Sequence, residues 1–429
     1  MREYFKQLTN NPFIRNVIII ASGTAGAQAI TMIFAPIITR MYGPDAFGVM
    51  GTFTALTRII IPIAALTYPV AIVLPKDDRD AKGLIHLSLI VTGVISSISL
   101  ILIMLLNEKI VSIFDLEEIQ TYLYLIPLVV IFAGLMQVAE QWLIRTKQFA
   151  INARVTIYQS LIINTSKLGI GFFHPVATVL IILTVVSNGI RALMMILFAK
   201  KSKYNSNVIK ANSKPKSIKK LAKNYYDFPL YRAPEEFLNA VSNGLPILML
   251  TAFFGPASAG FYSIVRSVMS IPSQLIGKSV GDVFYPRIAE ALNNNEDLTK
   301  LISKATLALA GVGIIPYGII IFFGPSLFSF IFGSEWVVAG EYARWIAMWS
   351  YVAFMNRPSV KALPVLNAQR FQLIYTTFML ITRLSVLAIT YYIFSSDIIA
   401  VASFSVAGAL LNVGLITITI NLSKKRQRR

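Results

Sequence analysis

The 429-residue sequence predicts an all-α polytopic membrane protein, with twelve transmembrane helices in two pseudo-symmetric six-helix lobes and both termini in the cytoplasm. Three observations predict this class: twelve apolar stretches, Lys and Arg gathered in every second gap between them, and an internal repeat. The expected organisation is an N-terminal lobe over 1–199, a basic cytoplasmic linker over 200–224 and a C-terminal lobe with a basic tail over 225–429.

Six stretches fall in the first lobe: Val17 to Thr39, Phe47 to Leu74, Gly83 to Leu106, Tyr122 to Ile144, Ala150 to Phe173 and Val176 to Ala199. Six follow in the second: Leu230 to Phe254, Ala257 to Tyr285, Leu301 to Phe323, Val337 to Met355, Asn367 to Phe394 and Ile398 to Leu422. At about 1.5 Å per residue each reaches across a hydrocarbon core of about 30 Å. The first stretch has a basic start but contains Gln28 and lacks a small-residue cleavage site, so it reads as a retained helix rather than a signal peptide.

Positive charge near short loops is retained on the cytoplasmic side. With both termini inside, the inner segments hold Lys76, Arg79 and Lys82, then Arg145, Lys147 and Arg154, then Arg287, Lys300 and Lys304, then Arg357, Lys361 and Arg370. The connection from Lys200 to Lys223 and the tail from Lys424 to Arg429 add the two largest clusters, whereas the opposite gaps offer only Arg40, Lys109 and Arg344.

Composition narrows the function classes. A chain 55% hydrophobic and 14% charged leaves no room for a separate soluble domain. The net charge of +19 is spread among short inner loops instead of lying on one basic face interleaved with aromatics, so no nucleic acid is expected as a partner. With no Cys, and His only at 86 and 174, the sequence offers no disulfide, thiol nucleophile or Cys/His metal site.

The repeat is carried by several residues at nearly constant spacing. Gly43-Pro44 with Gly48 returns as Gly255-Pro256 with Gly260; Arg145, Arg154 and Ser160 return as Lys361, Arg370 and Thr376; and Ser166-Lys167-Leu168 returns as Thr382-Arg383-Leu384. An even number of spans in each half makes the repeats parallel, the plan of transporters whose substrate route lies between halves.

Charge inside helices marks the candidate route. Arg58, Lys167, Arg266 and Arg383 sit well within their stretches, and Arg191, Arg232 and Lys278 lie nearer the cytoplasmic ends. At about 2.5–3.5 kcal/mol for a central charge facing lipid, the deep four require water or a partner. Glu140, Glu235, Glu236 and Asp282 are the acids available, and they are candidate sites for a coupling ion, H+ or Na+. Two readings stand for Arg232 with Glu236 and for Lys278 with Asp282: one helical turn apart, each pair either neutralises itself or lines the route. Arg191 is expected to snorkel to the inner surface. Thr31, Asn239, Asn243 and Gln274 belong to polar stripes suited either to a wet lumen or to interhelical hydrogen bonds. Pro62, Pro69 and Pro272 should bend their helices.

Three motifs fail on context. Gly277-Lys278-Ser279 lacks the leading Gly of a phosphate-binding loop, since position 272 is Pro. Asp78-Arg79-Asp80 sits in a short inner loop with no catalytic domain around it. Trp336, Trp345 and Trp349 read as an interfacial belt.

Tyr226-Asp227-Phe228-Pro229, Pro246, Phe254-Gly255-Pro256, Gly260-Phe261-Tyr262 and Pro272 resemble the polysaccharide-transporter branch of the multidrug/oligosaccharidyl-lipid/polysaccharide (MOP) exporter superfamily, home of the Wzx-type O-antigen flippases. The resemblance implies a flippase that carries an undecaprenyl-pyrophosphate-linked oligosaccharide from the inner to the outer leaflet of a bacterial cytoplasmic membrane. It implies two lobes enclosing a cationic lumen, which Arg58, Lys167, Arg266, Arg383, Arg232 and Lys278 would supply, and no cofactor. Lipid-linked oligosaccharide, membrane lipids, a polysaccharide polymerase and a chain-length regulator are the partners it suggests. A cation-coupled drug exporter of the same superfamily is the alternative, followed by a membrane glycan polymerase or ligase.

Overall fold

The computed structural model describes residues 12–114, 117–201, 217–273, 284, 287, 288, 290–292, 294, 296–366 and 368–427. Gln274, Lys278 and Asp282, and with them the Gly277-Lys278-Ser279 segment, lie outside the described residues. Among the described residues there is no strand, and the long elements are α1 (Pro12–Ile60), α2 (Asp78–Phe114), α3 (Ile126–Arg145), α4 (Phe149–Gly171), α5 (Ala177–Lys201), a short α6 (Ile218–Asn224), α7 (Ala233–Phe254), α8 (Pro256–Pro272), α9 (Leu298–Phe332), α10 (Val337–Met355), a short α11 (Arg357–Val365), α12 (Gln369–Phe394) and α13 (Asp397–Gln427).

Eight described helical segments are long and apolar enough to cross a membrane. One of them, Ile18–Ile63, spans the first expected stretch and the first part of the second, because α1 continues through a kink at Gly43. The stretches assigned to 150–173 and 337–355 are helical as α4 and α10, and the described first part of 257–285 is helical as α8. The exterior is that of a protein solvated by lipid: Phe330, Phe172, Tyr392, Leu105 and Phe322 are each more than 70% exposed. This is a multi-pass membrane protein.

The chain divides into two compact units, Met1–Leu248 and Met249–Arg429, a division that falls within α7. In the first, α3 packs on α2 and α5, and α5 packs on α4. In the second, α10 packs on α9 and α13, and α13 packs on α12. The same neighbour relations thus recur six stretches later. The repeat extends to backbone geometry. Gly43 (φ 70°, ψ 172°) and Gly255 (φ 82°, ψ 176°) adopt nearly identical conformations ahead of Pro44 and Pro256. An L-residue strains at that φ, and Pro suits the first helical position because its missing N–H has no acceptor there.

The second stretch departs from expectation. Its helix ends at Ile60 and gives way to short 3₁₀ turns at Ile61–Ile63 and Tyr68–Val73, with Leu66 (φ 47°) and Thr67 (φ 57°) left-handed between them. Pro62 and Pro69 therefore break the helix instead of bending it. Gln137 donates to the Ile61 carbonyl (2.9 Å), a backbone group released by the break, and the Thr67 hydroxyl donates to the Phe228 carbonyl (2.9 Å) ahead of α7. The expected linker is also partly folded: Leu221 of α6 is buried in a cluster with Tyr68, Ile72, Leu84 and Val138. In the connection before α9, Arg287 bonds Glu296 (2.5 Å), which holds that carboxyl below its usual range.

Small residues let α1 and α4 approach closely. A Cβ added at Gly23 would stand 2.6 Å from the Ala153 backbone, and the Ser160 hydroxyl donates to the Ala27 carbonyl (2.9 Å) one turn further along. Gly23→Val is expected to cost about 1–3 kcal/mol by overpacking, seen as a lower unfolding temperature in detergent. Gly93→Ala, with open space around the new methyl, should leave that temperature unchanged.

Candidate functional site

Within the first unit, the close approach of α1 and α4 opens into a polar cavity of about 270 Å³. From α1 it is lined by Thr24, Ala27, Gln28 and Thr31, spaced by three and four residues so that they share one face. From α4 it is lined by Thr156, Gln159, Ser160, Ile163, Asn164 and Lys167. Thr31 shares a hydrogen bond with Ser160 (3.1 Å), and the Asn164 amide donates to the Ser160 carbonyl (2.7 Å) and lies 3.4 Å from the Thr31 hydroxyl. Tyr42 donates to the Lys167 carbonyl (2.8 Å), fixing the helix backbone at that position. Lys167 is the one charged group among the described lining residues, set among hydroxyls and carboxamides that both donate and accept.

A second cavity in the same unit, of about 500 Å³, is lined by Asp227, Phe228, Tyr231, Arg232, Glu235 and Glu236. It surrounds the π-helical turn Phe228–Arg232, which leads into α7. Arg232 and Glu236, both of which line this cavity, form an ion pair (3.0 Å). Asn239 and Asn243 are exposed further along α7, where the Asn243 amide donates to the Asn239 carbonyl (2.8 Å). Arg58 is exposed in the last turn of α1.

Glu140 and Arg191 form a contact that the snorkelling reading did not foresee. Arg191 Nη2 lies 3.6 Å from the Glu140 carboxylate and donates to the Asn152 side-chain oxygen (3.2 Å), joining α3, α4 and α5. No sequence pattern hints at this triad, because its members are contributed by three helices. Nor does any pattern single out the Arg145 clamp, in which the guanidinium bonds Asp78 (2.7 Å) and the carbonyls of Ile72 and Pro75 (3.0 and 2.7 Å).

In the second unit the structure brings Arg266 and Arg383 into one neighbourhood. Arg266 lies over the Tyr262 ring (5.9 Å), and Tyr262 packs edge-on to Phe404. The Arg383 guanidinium occupies the corner between Trp349 (3.8 Å) and Phe404 (3.9 Å), whose rings are inclined by 75°. Trp349 thus packs against neighbouring helices, and Trp336 is fully buried, so neither forms the interfacial belt the sequence suggested. At the other end of this unit Asp397 accepts from Tyr342 (2.6 Å) and Ser258 (3.0 Å), a carboxylate whose partners are again non-local.

Comparison with known proteins gives these features a setting. A family model described as "Polysaccharide biosynthesis protein" matches residues 37–341. No curated protein matches the sequence. Among solved structures, an inward-facing multidrug resistance MATE family transporter of the MOP superfamily is similar with a TM-score of 0.72 at 14% identity, covering 93% of this chain and 96% of that one. The lipid II flippase MurJ in an inward closed conformation is similar at 0.70 and 13%, covering 94% and 87%. A mutant of the Vibrio cholerae MATE transporter VcmN is similar at 0.57 and 13%, covering 99% and 98%. The fold is that of the MOP transporters.

Because the chain contains no Cys, the cavity between α1 and α4 can be probed with single introduced thiols. Gln28→Cys is expected to react with a hydrophilic maleimide in membranes at least about tenfold faster than Phe53→Cys, whose position is fully buried.

Proposed function

We propose, from the premise that this chain belongs to the polysaccharide biosynthesis protein family, that it is a flippase for an undecaprenyl-pyrophosphate-linked oligosaccharide. The cargo is an O-antigen, capsule or exopolysaccharide repeat unit, moved from the inner to the outer leaflet of the bacterial cytoplasmic membrane by alternating access through a cationic lumen. The twelve-span topology with both termini inside belongs to this proposal, as do a polymerase and a chain-length regulator as partners and H+ or Na+ as coupling ions.

The observation that carries the reading is the cavity around Lys167. A lipid-linked glycan offers many hydroxyls and an anionic head group, while its lipid tail stays in the bilayer. The cavity supplies one ammonium among Thr24, Gln28, Thr31, Gln159 and Asn164, with no carboxylate among its described lining residues. Such a surface exchanges hydrogen bonds with sugar hydroxyls and attracts negative charge. A site for cationic drugs needs the opposite sign. Arg266 and Arg383 add positive charge in the second unit, and among the candidate coupling acids Glu235 borders the larger cavity, whereas Glu140 is held by Arg191 and Asn152 and Glu236 by Arg232.

The test is leaflet transfer of lipid-linked oligosaccharide in proteoliposomes. Lys167→Gln and Arg266→Gln, made at parental levels, are expected to slow transfer at least about tenfold, or about 1.4 kcal/mol in barrier. Lys167→Arg should retain part of the activity. No transfer by the unaltered protein overturns the flippase reading, and parental rates in both Gln variants overturn the cationic route.

A further inference from the structure

The short helix α6 is held at the depth of the lipid head groups. Leu221 is its buried residue, and a Cβ added at Gly83 would collide with Leu221 Cδ1, so α6 lies directly on the start of α2. That helix enters its membrane-crossing segment at Asp78, and Gly83 is only about 7.5 Å further along its axis at about 1.5 Å per residue. An element seated there borders water on one side and hydrocarbon on the other. A helix of seven residues does not persist in water by itself. It depends on the Ser217 hydroxyl, which accepts from the Lys220 N–H (3.3 Å), and on the seat of Leu221 among Tyr68, Ile72 and Leu84.

The uncovered side of this element mixes positive charge with apolar surface. Lys219, Lys220 and Lys223 are exposed on α6, and Lys76, Arg79 and Lys82 are exposed where α2 begins. None of the six forms an ion pair among the described residues. Of the acids in and beside these segments, Asp78 is held by Arg145 and Asp80 is buried, which leaves Asp77 and Asp227 against six cations. Lys219 and Lys220 stand in the first turn of α6, where positive charge opposes the helix dipole, so helix stability does not account for them. Between these charges along the chain, Val73, Leu74, Ile218 and Tyr226 are 38–58% exposed. Apolar side chains interleaved with cations at this depth match a layer of anionic head groups above acyl chains.

We infer that α6 and the start of α2 form a docking surface for the anionic phospholipids of the surrounding membrane, with Lys and Arg on the phosphates and Leu74, Ile218 and Tyr226 at the acyl boundary. A negative bilayer surface attracts such a cluster over about one Debye length. Through Tyr68 and Ile72, α6 touches the broken second stretch, and along the chain it leads to the π-helical turn Phe228–Arg232 at the larger cavity. Bound lipid therefore anchors the segment that enters that cavity. The inference goes beyond the flippase reading and does not depend on it, because its ligand is membrane lipid and not cargo.

The experiment places the full-length protein in phosphatidylcholine nanodiscs, with Ile218→Cys as its single thiol carrying a bimane fluorophore. A small share of the lipid is nitroxide-labelled near the head group, as phosphatidylglycerol in one sample and phosphatidylcholine in the other. At equal content, phosphatidylglycerol is expected to quench at least about twofold more strongly, and this preference should vanish at about 1 M salt, where the Debye length is about 3 Å. The combined Lys219→Gln, Lys220→Gln and Lys223→Gln variant should lose it too, and the salt dependence decides the matter if that variant does not fold. Equal quenching by the two lipids overturns the inference, as does a preference that survives high salt or the folded triple variant. Displacement of phosphatidylglycerol by an equal concentration of inorganic pyrophosphate would assign the cations to a soluble phosphate and overturn the lipid assignment. No readout involves glycan transfer, so failure here and failure of the flippase reading are told apart.

Discussion

Charge in hydrocarbon is the constraint on which the rest of this structure depends. An exposed arginine or lysine at the centre of a bilayer costs about 2.5–3.5 kcal/mol on insertion scales, and an unsatisfied backbone group costs several more. The lobes answer this constraint in three ways. Arg145 and Arg191 are neutralised by Asp78 and Glu140 and finish their hydrogen bonds on backbone carbonyls or Asn152. Lys167 borders a polar cavity rich in hydroxyls. Arg383 lays its guanidinium against the Trp349 and Phe404 rings. Only the first answer sets a carboxylate against the cation.

Helix packing follows from the same scarcity of driving force. Lipid is as apolar as Leu, so helices gain little from burying aliphatic surface against one another and rely on close approach and interhelical hydrogen bonds. Gly23 against Ala153, Ser160 on Ala27, Tyr122 on Thr178 (2.6 Å) and Asn356 on Asn412 (2.8 Å) are contacts of this kind. They also fix where polar cavities can open. The Thr24, Gln28 and Thr31 face of α1 meets α4 because the small residues beside it bring the two backbones together.

The parts legible in the sequence are those that depend on local pattern. Apolar runs locate the helices, and the recurrence of Gly43-Pro44 as Gly255-Pro256 locates two turns with nearly the same backbone angles. Helical spacing also places Thr31 on the stripe that lines the Lys167 cavity. What fails are statements about partners. Arg191 is expected to snorkel because it lies near the cytoplasmic end of its stretch, and its contact with Glu140 of another helix is invisible to spacing along one helix. Trp349 and Trp336 resemble a surface belt only when their depth is judged from distance along the chain. The two prolines of the second stretch are expected to bend a helix, and whether a proline bends or breaks depends on partners such as Gln137 that take up the freed backbone groups.

The repeat then carries a mechanistic consequence. Duplicated lobes begin with the same residues at the same positions, so any difference between their present environments has arisen since duplication. Lys167 and Arg383 occupy matched positions, but one lies beside Thr, Ser, Gln and Asn side chains and the other between Trp and Phe. An ammonium among hydroxyls and carboxamides keeps several hydrogen-bonding geometries open, whereas a guanidinium set against two aromatic rings has the orientation of its plane fixed by them. The two cations therefore differ in the freedom left to them as well as in their surroundings.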